Sequence, residues 1–277
     1  MSDRTPRAGY AALCDAIRPL TGGVVAFSGG VDSSLVLRAA LDTLPRECVL
    51  AVTLAAPYTP DVEVRAAKDL AQRLGAPHEI VPVAFPEFLR DNPPDRCYRC
   101  KRLLFGLLLD KAARTGLPHL LDGTNADDLG AYRPGLRAVR ELHVASPLAA
   151  TGLTKALVRA LAREHGLPNW DAPAGACLLT RLPHGERVEE AVLRRIEAGE
   201  TILREAGFPG ARLRNHGELA RIEVAPERLA ALVATAGERN LDAALKDLGY
   251  RHVTVDLAGY RTGGGTPTGA DDPTRTS

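Results

Sequence analysis

Gly23-Val24-Val25-Ala26-Phe27-Ser28-Gly29-Gly30-Val31-Asp32-Ser33-Ser34 is the stretch on which the reading of the fold turns. Gly23 to Phe27 reads as a short apolar strand, and a helix is expected from about Ser33 to Leu44. A strand, a glycine-rich turn and a helix start in direct succession make an anion site. The glycines let the backbone approach a phosphate closely. Backbone N–H groups and the dipole at a helix N-terminus favour negative charge. Ser28, Ser33 and Ser34 add hydroxyl donors. Asp32 alone would repel phosphate, so Mg²⁺ is expected between it and the phosphates. No Gly-Lys-Ser/Thr follows, which excludes a Walker A loop.

The pattern Ser-Gly-Gly-x-Asp-Ser resembles the PP-loop of ATP pyrophosphatases, which cleave ATP between its α- and β-phosphates. The resemblance implies that Ser28, Gly29, Gly30, Asp32, Ser33 and Ser34 bind ATP, with Asp32 and Ser28 in catalytic roles. It also puts the adenine near the end of the second strand, at Val52 and Leu54. Gly123, in Asp122-Gly123-Thr124-Asn125, is expected to close over the nucleotide after the fourth strand. That is a common ligand position at the C-terminal edge of a parallel sheet.

Outward from the loop, strand-like and helix-like stretches alternate. Ala11–Ile17, Asp61–Leu74 and Cys97–Thr115 read as helices, and Cys48–Leu54, Glu79–Val83 and His119–Asp122 as strands. Thr59 or Asp61 is a candidate cap, and Gly75 and Gly116 are stops. This pattern predicts an α/β fold, a parallel sheet with helices on both faces. After Pro147 the pattern changes. A helix capped by Thr154, a Pro- and Gly-containing loop over 169–183, a long helix over 187–206 and short strands over 212–224 and 250–257 predict a smaller α+β domain. The expected boundaries are 1–176, 177–262 and a disordered tail, 263–277, rich in Gly, Thr, Pro and Asp.

The bulk numbers narrow the function classes. The 277 residues carry 35 Lys plus Arg against 34 Asp plus Glu, a net charge of +1 that gives no electrostatic footprint of a nucleic-acid binder. The N-terminus lacks a signal-peptide pattern and no apolar run approaches a membrane span, so a cytoplasmic protein is expected. Structural disulfides among the five cysteines are therefore not expected.

Cys97 and Cys100 are spaced so that a helix start would put both thiols on one face. Such a pair can hold a metal or one edge of an iron–sulfur cluster, or can be redox-active or structural. Cys177 lies in Pro173-Ala174-Gly175-Ala176-Cys177, where small neighbours leave its sulfur accessible. Three cysteines without a fourth ligand suit a 4Fe–4S cluster with an open iron site better than structural zinc. Cys14 and Cys48 read as core residues.

Several segments together resemble the LarE family of sulfur transferases. They are Ala26–Leu35, Leu121–Gly123, Tyr132-Arg133-Pro134-Gly135-Leu136, the Cys177 loop, Arg212–Arg214, Ala220–Glu223 and Leu248–Arg251. The resemblance spans about residue 10 to residue 262. It implies that ATP adenylates the carboxylates of pyridinium-3,5-dicarboxylate mononucleotide and that sulfur then displaces AMP. It implies a homo-oligomer, with sulfide or another sulfur donor as co-substrate and catalysis at Cys177. It also implies substrate binding by Arg212, Arg214, Glu223 and Glu200, and contact of Arg133 with the adenylate phosphate. The best-known members carry only the cysteine matching Cys177 and sacrifice its sulfur. With Cys97 and Cys100 added, this chain resembles the three-cysteine branch, in which a 4Fe–4S cluster on Cys97, Cys100 and Cys177 is expected. The rival readings are a tRNA 2-thiolation enzyme, an ammonia-using synthetase and a non-catalytic scaffold. Near-neutral charge and the lack of an RNA-binding appendage stand against the first.

Overall fold

The computed structural model describes residues 6–130 and 134–260. Arg133 and the tail from 263 lie outside the described residues. The chain divides into two compact units, Met1–Phe85 with Pro94–Gly175, and Pro86–Pro93 with Ala176–Ser277.

The elements of the first unit are α1 (Pro6–Ile17), β1 (Gly23–Ala26), α2 (Val31–Thr43), β2 (Val49–Ala55), α3 (Asp61–Arg73), β3 (His78–Pro82), α4 (Arg96–Thr115) and β4 (His119–Leu121). After them come three short helices, α5 (Ala126–Gly130), α6 (Gly135–Glu141) and α7 (Pro147–Ala150), and then α8 (Lys155–Glu164). The sheet is parallel throughout, in the order β3-β2-β1-β4. Successive side chains point to opposite faces. Val25, Phe27 and Ala51 pack with Leu13, Ile17, Leu35, Ala67, Leu70 and Leu161 of α1, α2, α3 and α8. Val24, Val52 and Leu120 pack on the other face with Phe105, Leu108, Leu136 and Val139 of α4 and α6. The expected α/β layering, helices on both faces of a parallel sheet, is what the structure has.

The chain runs outward from β1 to β3 and then returns to place β4 on the other side of β1. The loops after β1 and β4 therefore part at a switch in strand order, the crevice where open α/β sheets bind ligands.

The second unit contains α9 (Glu190–Glu205), β5 (Arg212–His216), β6 (Leu219–Glu223), α10 (Leu229–Glu238), α11 (Leu241–Lys246) and β7 (His252–Val255). Its sheet pairs β5 with β6 antiparallel and β6 with β7 parallel. The segment 86–93 joins this unit through Asn92. Its side-chain amide donates to the carbonyls of Leu179 (3.3 Å), Leu182 (3.2 Å) and Pro183 (2.8 Å).

Two local expectations need correction. Neither Thr59 nor Asp61 caps α3, whose N-cap is Pro60, and the Thr59 hydroxyl instead accepts from the Ala56 N–H at 3.3 Å. Cys48 ends a 3₁₀ turn, Arg46–Cys48, instead of opening β2, and both it and Cys14 are half-buried. The three short helices α5 to α7 are too brief to show periodicity in sequence. Thr154 does cap α8, accepting from the Leu157 N–H at 3.4 Å.

Candidate active site

In the first unit the loop after β1 is built around the Gly30 carbonyl. Gly29 takes φ +73°, and a Cβ there would lie 2.9 Å from the Ala67 Cα, so backbone shape and α3 packing both require glycine. The Gly30 carbonyl accepts from the Ser34 N–H (3.0 Å), the Ser33 hydroxyl (3.1 Å) and the Ser34 hydroxyl (2.8 Å). Ser28 Oγ accepts from the Gly30 N–H at 3.3 Å and lies 3.2 Å from Ser33 Oγ. A carbonyl has two lone pairs, and three donors reach this one. The Ser33 hydroxyl, the longest of the three bonds, is the one most easily turned toward a phosphate. The helix start adds N–H groups that have no intrahelical acceptor.

Asp32 sits in the first turn of α2. Its Oδ1 accepts from the Asn125 side-chain amide at 3.1 Å, and its Oδ2 accepts from the Lys155 ammonium. Gly123 lets the β4 loop come this close, since a Cβ there would lie 2.8 Å from the Ser33 nitrogen. Asp122, buried beside it, accepts from the Thr124 N–H (3.1 Å), the Thr124 hydroxyl (2.5 Å) and the Ser146 hydroxyl (2.6 Å), with Lys101 at 3.7 Å. Asn169 closes the other side. Its amide donates to the Gly29 carbonyl (2.7 Å) and to Ser34 Oγ (3.0 Å).

Ser28, Gly29, Gly30, Asp32, Ser33, Ser34 and Gly123 are thus brought together. Val52 is fully buried against α4, and Leu54 with Val81, Leu107, Leu108 and Lys111 lines a small cavity of about 120 Å³ on that same face. Sequence reasoning missed Lys155 and Asn169. Lys155 carried a signal: a lysine at the first position of a helix opposes the helix dipole, and such a local conflict marks a partner elsewhere. Asn169, inside a loop, carried none.

Cys97 and Cys100 lie in the first turn of α4, as the spacing required. Cys97 is exposed and Cys100 half-buried, its Sγ 3.2 Å from the Tyr58 hydroxyl. Among the described residues, which include all five cysteines, none is in a disulfide, and no group of three or more His, Cys, Asp or Glu side chains is assembled to hold a metal ion.

In the second unit, Cys177 precedes the 3₁₀ turn Leu178–Arg181 and is half-buried. Its carbonyl accepts from the Thr180 hydroxyl (2.9 Å) and from Arg181 (3.3 Å). Arg181 is 2% exposed and grips Glu200 with two bonds, 2.8 and 3.0 Å. Glu200 also accepts from the Leu213 N–H at 3.0 Å, so it ties the Cys177 turn to β5. Arg212 and Arg214 share one face of β5, as alternation predicts, and both are buried. Arg214 donates twice to Glu223 Oε2 (2.9 and 2.7 Å) and once to the Thr180 carbonyl (2.5 Å). Arg221 holds the other Glu223 oxygen at 3.1 Å, and Arg212 stacks 5.5 Å from the Tyr260 ring. Arg181 and Arg221 are the arginines of this network that sequence reasoning missed.

The NAD synthase family matches residues 16–88, the span of β1 to β3 with the phosphate loop. An uncharacterised protein of Synechocystis is 39% identical over 87% of this chain and 90% of its own length. The pyridinium-3,5-bisthiocarboxylic acid mononucleotide synthase of Lactiplantibacillus plantarum is 38% identical over 91% of this chain and 92% of its own. An uncharacterised protein of Methanocaldococcus jannaschii is 30% identical over 86% and 90%. With the phosphate loop intact and likeness running through both units, the chain belongs to the LarE family of PP-loop enzymes.

Proposed function

We propose that this protein uses ATP to adenylate the carboxylates of pyridinium-3,5-dicarboxylate mononucleotide and replaces the activated oxygen by sulfur. The observation that carries this reading is the Ser28–Ser34 loop, with its hydroxyls gathered on Gly30 and Asp32 paired to Lys155. A substrate carboxylate oxygen attacks the α-phosphorus of ATP, and pyrophosphate leaves. A sulfur nucleophile then forms a bond to the acyl carbon, the acyl–oxygen bond breaks, and AMP leaves with the electron pair. A thiocarboxylate remains, and a second round gives the dithiocarboxylate.

The loop N–H groups and the Ser28 and Ser33 hydroxyls hold the phosphates. Lys155 stands as counter-ion to Asp32 and carries its charge to the departing pyrophosphate. Arg133 is assigned to the adenylate phosphate, and Val52 and Leu54 to the adenine edge. Asp32 would hold a Mg²⁺, an ion that needs no all-protein cage. When bound, the metal would supply charge neutralisation on those phosphates.

Residues 1–176 carry adenylation and 177–262 substrate recognition and sulfur transfer. Arg212 and Arg214 recognise the mononucleotide phosphate, Glu223 orients Arg214, and Glu200 acts through Arg181 on the Cys177 turn. Cys97, Cys100 and Cys177 would hold a 4Fe–4S cluster, with the Cys97 and Cys100 thiols one helical turn apart in α4. When bound, the cluster would carry the sulfur. The enzyme works in the cytoplasm as a homo-oligomer, with sulfide or a related donor.

The test is pyrophosphate release on addition of the dicarboxylate mononucleotide, with a mass increase of one sulfur-for-oxygen exchange in the product. Pyrophosphate release with no mononucleotide dependence would refute the substrate. About four iron and four sulfide per chain, lost in Cys97→Ala, Cys100→Ala and Cys177→Ala, support the cluster. Iron-free protein that consumes the Cys177 sulfur would replace the cluster with a sacrificial route.

A further inference from the structure

The strand next to the phosphate loop carries a second polar feature that the adenylation reading leaves unused. Thr53 of β2 is buried, and its Oγ1 lies 2.7 Å from the Phe27 carbonyl and 2.8 Å from His78 Nε2. Phe27 is the residue immediately before Ser28, where the loop leaves β1.

A hydroxyl has one hydrogen to give. The Phe27 carbonyl can only accept, so a 2.7 Å contact makes Thr53 its donor. Thr53 must then accept from His78, which puts the imidazole proton on Nε2. The ring packs T-shaped against Phe27, centroids 5.8 Å apart at 84°. We propose that His78, as its Nε2–H form, donates to Thr53, which in turn anchors the Phe27 carbonyl, making His78 and Thr53 positioning residues for the phosphate loop.

The environment agrees. His78 is half-buried, and its pKa is pushed below the ordinary 6.5, chiefly by that burial; Glu79 opposes the shift and Lys68 of α3 adds to it. A neutral ring has a single N–H, and here the geometry decides where it sits. Phe27 is also tied from its other end, its N–H donating to the Val52 carbonyl at 2.9 Å. Both ends of the residue preceding Ser28 are therefore held by β2. The hydroxyl–imidazole pair extends that hold to β3, so that Ser28 starts from a fixed point.

This inference rests on the ATP reading of the loop. The test compares Thr53→Val, which keeps shape and loses the hydroxyl, with Thr53→Ser. It also compares His78→Leu with His78→Gln, whose amide N–H reaches the place of Nε2. Affinity for α,β-methylene-ATP is measured by calorimetry at 25 °C, with thermal unfolding recorded alongside. Loss of one hydrogen bond that orders the loop predicts about tenfold weaker binding in Thr53→Val and His78→Leu. Thr53→Ser and His78→Gln are expected within about threefold of the parent. Nitrogen-15 NMR of the parent is expected to show the proton on Nε2.

Unchanged affinity in Thr53→Val with a lowered Tm would make the pair purely structural and overturn the proposal. So would a proton on Nδ1, or a His78→Gln protein that binds as poorly as His78→Leu. A parent that does not bind the analogue overturns the ATP reading itself, whereas a parent that binds while the variant pairs fail to separate overturns only the relay.

Discussion

The phosphate loop of the first unit and the arginine–glutamate network of the second handle charge in opposite ways. The loop uses contiguous residues, small side chains and backbone groups, and the side chain of its single carboxylate, Asp32, is 21% exposed and answered by one lysine. The network is built from full charges out of water: the side chains of Arg214 and Glu223 are 8% and 6% exposed, and those of Arg181 and Glu200 are 1% and 13%. A loop of backbone donors is complete before its ligand arrives and costs little in desolvation. A buried ion pair must have every partner in place, because either charge alone is far costlier than the pair. The first arrangement therefore tolerates exchange of partners, and the second does not.

The contrast is most exposed to challenge at Glu223. Glu223→Ala leaves Arg214 buried with only the Thr180 carbonyl, and a loss of about 3–5 kcal/mol is expected in urea unfolding. A loss below about 1 kcal/mol would show that water reaches this pair and that the network is surface-like. Asp32→Asn sharpens the other side. It should leave the fold intact while cutting ATP-dependent turnover by about 10²–10³-fold, the scale of one lost electrostatic contact in a reacting site. Turnover near that of the parent would remove Asp32 from the chemistry.

Gly29→Ala tests whether the loop depends on backbone shape. With φ at +73° and Ala67 in the way, a destabilisation of about 1–3 kcal/mol is expected. The smallest effect concerns pH. His78 binds its proton less readily in the fold than at the unfolded value near 6.5. The unfolded chain therefore takes up more protons across that window, so stability rises with pH there. The contribution is full above about pH 6.5, declines as pH falls toward the depressed native value, and is level below it. Urea midpoints across this range should show a shallower slope in His78→Gln, and an unchanged slope would remove His78 as its source.

Much of the first unit was legible because its signals are local. Strand, glycines, serines and aspartate follow one another from Gly23 to Ser34, and Gly75 and Gly116 end their helices where composition said they would. The paired cysteines of α4 and the shared face of Arg212 and Arg214 followed from helix and strand periods alone. The three-residue segment 131–133, with Arg133, lies outside the described residues. Lys155 was half-legible, as a cation at the wrong end of a helix. Asn169, 135 residues from Ser34, and Arg181, 19 from Glu200, had no pattern to betray them.

By itself, then, the sequence determined the α/β layering, the phosphate loop and the family, since each is written in neighbouring residues or fixed repeats. Only the tertiary structure decided which cation meets Asp32, that Glu200 faces Arg181, and that His78 reaches Phe27 through Thr53. The physical reason is range. Backbone geometry and hydrophobic period act over a few residues and leave a mark in the chain, whereas a hydrogen bond or ion pair needs only proximity in space. Proximity across tens of residues is set by how the whole core packs.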